Sequence, residues 1–169
     1  TENLFLQADG KPMAFHDAVV GGRSVGVPGT VRMLEQAHKE HGKLAWSALM
    51  QPAIQLAENG FKVSARLHTL LASEKYLKQD PAARAYFYDA AGQPWPVGHV
   101  LKNPELAAVL KGIARRGSKA LLEGDVAEAI VAKVKSHPTN PGTLTLADLA
   151  GYQPKKRDAL CSDYQLGAK

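Results

Sequence analysis

The sequence predicts a mainly α chain with a short extended or strand-like N-terminal segment, and three observations carry that prediction. Apolar residues recur at helical spacing through most of residues 30–150. Capping residues, glycine stops and helix-starting prolines cut that pattern into short helices. Residues 1–29 instead combine the apolar run Leu4 to Gln7, an Asp9-Gly10 turn and two glycine clusters, which is the signature of extended chain. The expected organisation is an entrance segment at 1–29, a helical domain at 30–150 and an exit segment at 151–169.

The elements follow in order. Leu4 to Gln7 reads as a strand and Asp9-Gly10 as its hairpin turn. Gly21-Gly22 and the run Gly26 to Gly29 bracket a second extended arm, after which Thr30 offers a hydroxyl to cap a helix. Val31, Leu34 and Ala37 share one face of that helix, and Gly42 stops it. Trp46, Leu49, Ala53, Leu56 and Ala57 repeat at helical spacing up to Asn59-Gly60, with Pro52 either starting or kinking the helix. Ser64 caps the next, with Leu67, Leu70, Leu71 and Leu77 as its buried stripe. Pro81 begins a short helix that runs to Tyr88, and Gly92 to Pro96 is a loop.

Asn103-Pro104 is a helix start, followed by Leu106, Val109, Leu110 and Ile113 on one face before Gly117. Asp125 and Glu128 have capping-box spacing ahead of Val126, Ile130 and Val134, in a helix that ends near His137-Pro138. Thr145 caps a last helix, Leu146 to Ala150. The two helices after Asn103 and Asp125 are both amphipathic and close in sequence, so they are expected to pair and bury Leu106, Val109, Leu110, Ile113, Val126 and Ile130 in one core.

Composition bounds the class. The chain has 169 residues, 45% hydrophobic and 22% charged, enough for one ordinary folded domain. No apolar run reaches the ~18 residues a membrane span needs, and the first residues lack the basic start and apolar core of a signal peptide. One cysteine, Cys161, rules out an internal disulfide framework and a multi-cysteine zinc site. The net charge of +5 is scattered apart from Arg115-Arg116 and Lys155-Lys156-Arg157, without the broad basic stripe of a nucleic-acid binder. Nothing repeats at a fixed period, which excludes a solenoid.

The sequence singles out no catalytic, substrate-binding or metal residue and implies no cofactor. Glu35, His38 and His41 fall at i, i+3 and i+6, but a helical metal site needs ligands from further helices, so a solvated face is expected. His16-Asp17, His68, His99 and His137 are isolated and single out no nucleophile. Cys161 has no histidine near it in sequence and reads as a small buried hydrophobe. The glycines of residues 21–29 lack both G-x-G-x-x-G and a P-loop ending, so their expected role is to let extended chain turn into a helix. Trp46, Tyr86, Phe87, Tyr88 and Trp95 are expected in the core.

Five stretches carry a resemblance: Leu4 to Lys11 (LFLQADGK), Ser24 to Val31 (SVGVPGTV), Gly42 to Ser64 (GKLAWSALMQPAIQLAENGFKVS), Asp80 to Arg84 (DPAAR) and Leu144 to Leu160 (LTLADLAGYQPKKRDAL). In wording and spacing they resemble the large-subunit region of γ-glutamyltranspeptidases over nearly the whole chain. The resemblance implies part of an αββα N-terminal-nucleophile hydrolase, made as a precursor that cuts itself and exposes a threonine as nucleophile and, through its α-amine, base. Such enzymes attack the γ-glutamyl amide of glutathione and pass the acyl group to water, an amino acid or a peptide.

No two threonines are adjacent in this sequence, so the family's Thr-Thr-His-like processing site is not in it. The arginine that holds the substrate α-carboxylate corresponds to a place before Thr1, and the family's Pro-Pro-Ser-Ser-Gly-Gly-like stretch to one soon after Tyr164. The expectation is an internal part of the large subunit, inactive alone. Its implied partners are the remainder of that subunit and the small subunit, with association of two copies through the entrance edges as a further expectation; its implied location is periplasmic or extracellular. Two alternatives stay open at this point, a cephalosporin or glutaryl acylase relative and a non-catalytic helical interaction module.

Overall fold

The structure is a computed structural model that describes residues 3–164 and Gly167. Thr1 and Lys169, the ends against which the resemblance is measured, lie outside the described residues. The chain is mainly α, as its periodicity predicts. Nine helices are found among the described residues: α1 (Phe15–Val19), α2 (Thr30–His41), α3 (Trp46–Asn59), α4 (Ala65–Ser73), α5 (Pro81–Phe87), α6 (Pro104–Arg116), α7 (Lys119–Leu122), α8 (Asp125–Lys135) and α9 (Leu146–Gly151). Two short strands, β1 (Phe61–Lys62) and β2 (Val100–Leu101), pair antiparallel with Phe61 opposite Leu101.

Several ends form for the reasons their sequence gives. Ser64 accepts the Leu67 N–H, and Asn103 accepts the Leu106 N–H at 2.8 Å ahead of Pro104. Thr145 and Asp148 close a full capping box on α9. At the entrance, Gly10 takes φ +80 and an antiparallel bridge joins Leu6 to Pro12, so the Asp9-Gly10 turn is present.

Other ends differ. Thr30 does not cap α2, because Gly29 is already helical (φ −77, ψ −9) and accepts the Met33 N–H, which puts Thr30 inside the first turn. Asp125 and Glu128 form no capping box. Gly124 (φ 71, ψ −154) is the residue outside the helix, so both carboxylates lie in the first turn, where they complement the helix dipole. Helix α3 begins at Trp46 and runs through Pro52. The stripe expected on α4 is broken: Leu71 is buried, Leu70 is 54% exposed, and Leu77 lies in a separate 3₁₀ turn, Leu77–Gln79. That turn begins because Glu74, extended at the end of α4, accepts the N–H groups of Tyr76 and Leu77. Helices α1 and α7 are too short to leave a period in the sequence.

Packing falls into two groups. Helix α6 lies along α3, and Trp46 donates its indole N–H to the Ile113 carbonyl at 3.0 Å. Helix α7 touches α6, α8 and α9, and the buried cluster Leu122, Ala127, Val134, Leu144 and Leu149 fills the space it encloses, with Val27 of the entrance packed against it. The expected α6–α8 core is therefore corrected: Leu106 is 46% exposed, and the buried side chains of α6 are Ala107 and Ile113. Helix α6 packs on α3 rather than on α8, and the residues these two helices bury are Ile54 and Ala57 on α3 and Ala107, Gly112 and Ile113 on α6, with Leu106 off that face. Among the described residues no helix is long and apolar enough to cross a membrane.

Candidate functional site

Charged side chains converge in an open groove between α2, the α6–α7 turn and the chain leaving α9. Arg32 and Glu35, one turn apart on α2, supply its floor. The Arg32 guanidinium donates to the carbonyls of Ala150 (3.0 Å) and Tyr152 (2.6 Å) and to the Ser118 hydroxyl (3.3 Å), and its other nitrogen lies 3.8 Å from Glu123. One planar fork thereby ties α2 to α7 and to the end of α9. Tyr152 lies on Gly29, where a Cβ would meet its ring, so the start of the exit is fixed from two sides.

Glu35 accepts the backbone N–H of Ser118 at 2.9 Å and pairs with Lys39 at 2.8 Å. Burial pushes its carboxyl up, but the Lys39 ammonium and the Ser118 hydroxyl and N–H outweigh that and hold it at about 2. The carboxylate fits because residue 117 is glycine: φ is +66, and a Cβ there would stand 2.6 Å from Glu35 Oε1.

A second polar assembly holds the entrance. Asn140, 4% exposed, donates its amide to the carbonyls of Asp17 (2.9 Å), Ala18 (3.3 Å) and Val20 (2.8 Å). Its Oδ1 accepts from Arg23 Nε at 2.7 Å, and Arg23 also reaches the Leu4 carbonyl. The Asn140 carbonyl accepts the N–H groups of Gly22 and Arg23, and its own N–H donates to His137 Nδ1 at 3.0 Å. Gly21 and Gly22 let the chains touch. A Cβ on Gly22 would collide with the Val134 carbonyl and the Gly142 nitrogen. Close approach is thus what these glycines are for, beside the turn expected of them.

The residues weighed in the sequence are scattered. Glu35 belongs to the groove, while His38 Nε2 lies 2.8 Å from the Leu44 carbonyl with its ring edge-on to Trp46, so the three members of the helical trio do not converge. No group of three or more His, Cys, Asp or Glu among the described residues is placed to hold a metal ion. His16 stacks on Tyr76, His68 Nδ1 contacts the Trp95 carbonyl, and His99 stacks flat on Trp95 at 4.0 Å. Cys161 is exposed in the non-helical exit, which corrects the expectation of a buried thiol. Tyr88 is buried and donates to the Leu71 carbonyl, as the core reading of the aromatics expects.

Sequence reasoning passed over Arg32, Ser118 and Asn140. The Asn140-Pro141 dipeptide is a turn signal that marks the last of these. The groove is built for fastening rather than for acyl transfer. Ser118 is 2% exposed, and a carboxylate held near 2 is too weak a base to activate it at neutral pH.

The comparisons agree with one another. The family model for Gamma-glutamyltranspeptidase matches residues 1–169. The glutathione hydrolase proenzyme of Pseudomonas aeruginosa is 35% identical over 152 residues, 88% of this chain and 25% of that protein. Scoloptoxin SSD14 of Scolopendra dehaani is 36% identical over 141 residues, 82% of this chain and 24% of its own. The crystal structure of Helicobacter pylori γ-glutamyltranspeptidase superposes with a TM-score of 0.81 at 32% identity, covering 90% of this chain and 43% of that one. The chain thus spans about a quarter of the length of the curated relatives it matches.

Proposed function

Because the chain belongs to the γ-glutamyltranspeptidase family, we propose that it is the helical part of the large subunit of a glutathione hydrolase. In this reading the parent enzyme cleaves the γ-glutamyl amide of glutathione and transfers the acyl group to water, an amino acid or a peptide. The observation that carries the reading is the family match over residues 1–169. That the relatives compared include a glutathione hydrolase favours this activity over the acylase alternative, and a family of enzymes favours it over the interaction module.

The segment's own contribution is architectural. Its two polar assemblies hold the ends of a helical body in place: Asn140 holds the entrance and Arg32 the exit. The parent would supply the nucleophile, a threonine whose Oγ attacks the amide carbonyl carbon while its α-amine takes the proton. The remainder of the large subunit and the small subunit are then its partners, and a periplasmic or extracellular location follows from the same reading.

The test compares two polypeptides, the 169-residue chain and the longer product of its coding sequence. The longer one is expected to release anilide from a γ-glutamyl anilide, and the chain alone to stay at the buffer blank. Turnover by the chain alone that disappears on mutating one of its own residues would overturn the reading.

A further inference from the structure

We propose that His137 and Asn140 form an acid-sensitive latch, which holds residues 17–23 against the connection between α8 and α9 and lets them go when His137 is protonated on both ring nitrogens. The inference is independent of the enzymatic reading. It starts from an assignment that leaves no freedom of tautomer: the partner of His137 Nδ1 is the backbone N–H of Asn140, at 3.0 Å, and a backbone N–H can only donate. Nδ1 is therefore the acceptor, and the ring is neutral with its proton on Nε2. A doubly protonated imidazole has no acceptor. Its Nδ1–H would point at the Asn140 N–H, and one of the two groups must move.

The surroundings make that movement consequential. A Cβ on Gly21 would stand 3.0 Å from His137 Cγ and 2.7 Å from the Asn140 carbonyl oxygen, so the entrance lies directly against both residues. Asn140 cannot shift alone, since its side chain and carbonyl together hold Asp17, Ala18, Val20, Gly22 and Arg23. Displacing it breaks these bonds as a group.

Among the described residues no carboxylate lies within ion-pair distance of the His137 ring. The entrance brings Arg23, hydrogen-bonded to Asn140 itself, together with Asp17 and with His16, which stacks on Tyr76. Helix α8 brings Lys133, whose ammonium pairs with Asp80, and Lys135.

Amide hydrogen exchange of the full chain tests the latch, read at Gly22 and Arg23 and corrected for the intrinsic pH dependence of exchange. Acidification from about pH 7.5 to about pH 5, across the range where imidazoles ordinarily ionise, is expected to raise their exchange about 10-fold while Val134 and Leu149 stay protected. His137→Asn keeps an acceptor oxygen near the Nδ1 position without titrating, and is expected to abolish the rise. Equal protection at both pH values, or the same rise in the variant, would overturn the proposal. A second reading needs no variant: the midpoint of the exchange change must coincide with the titration of the His137 ring followed by NMR, and separate midpoints would overturn it as well.

Discussion

The two polar joints do the same mechanical task with opposite chemistry. At the entrance, a neutral amide that is 4% exposed gathers backbone carbonyls from a segment more than a hundred residues away. At the exit, charged side chains of α2 meet Ser118 and the carbonyls of Ala150 and Tyr152 in a groove open to water. A buried amide is expensive to leave unpaired, whereas a solvated charge has water as a substitute. The entrance joint should therefore be the stronger of the two and indifferent to salt, and the exit joint weaker and sensitive to salt, while acid acts on the entrance through His137 and on the exit through Glu35.

The largest effect is expected at the entrance. Asn140→Ala removes one acceptor and both donor hydrogens, leaving the Asp17, Ala18 and Val20 carbonyls and Arg23 Nε without their partner. A loss of roughly 2–4 kcal/mol is expected, read as a lower urea midpoint. The cost should be the same at low and at high salt. A change below about 0.5 kcal/mol would mean that water satisfies these carbonyls as well as Asn140 does, and the contrast between the joints would collapse.

Acid below the ordinary carboxylate value should act on the exit next. Glu35 is held at about 2, below the ordinary 4.5, so its contribution is complete above the ordinary value and is lost as pH falls from there toward 2. Glu35→Gln is expected to remove this acid-dependent loss and to lower stability near neutral pH by about 1 kcal/mol, a modest figure because the groove admits water. Urea titrations at a series of pH values between these limits check both halves. A variant whose stability still falls as steeply as the wild type's would place the acid sensitivity elsewhere.

What the sequence makes legible follows the range of the interaction. The Asn103 and Thr145 caps involve atoms three residues apart, and both were readable as short motifs. The side-chain amide of Asn140 reaches residues 120 or more positions away, and nothing local distinguishes it beyond a turn dipeptide. Arg32 is hidden for the same reason, since its acceptors lie on α9 and just beyond it. The misread apolar stripes have another cause: Leu70 and Leu106 keep helical spacing but face solvent, because periodicity gives a face and not the partner that covers it. The family was legible in long words such as residues 42–64 rather than in any pattern of physical chemistry.

The smallest effect should come from the ion pair farthest out on the exit. Lys156 donates to Glu40 at 2.5 Å, and the lysine side chain is 70% exposed. The hydrogen bond from the Lys156 ammonium, joined by one from the Gln36 side-chain amide, pulls the Glu40 carboxyl below its ordinary range. Such a pair gives up the entropy of a long side chain and is screened by salt, which cancels most of its attraction. Lys156→Ala is therefore expected to leave the urea midpoint unchanged within error at any salt concentration, because Arg32 and Tyr152 have already fixed the chain four residues earlier. A clear loss that fades with added salt would show that the exit is held along its length by charge, and the boundary of the fastened region would move outward from Tyr152 to Lys156.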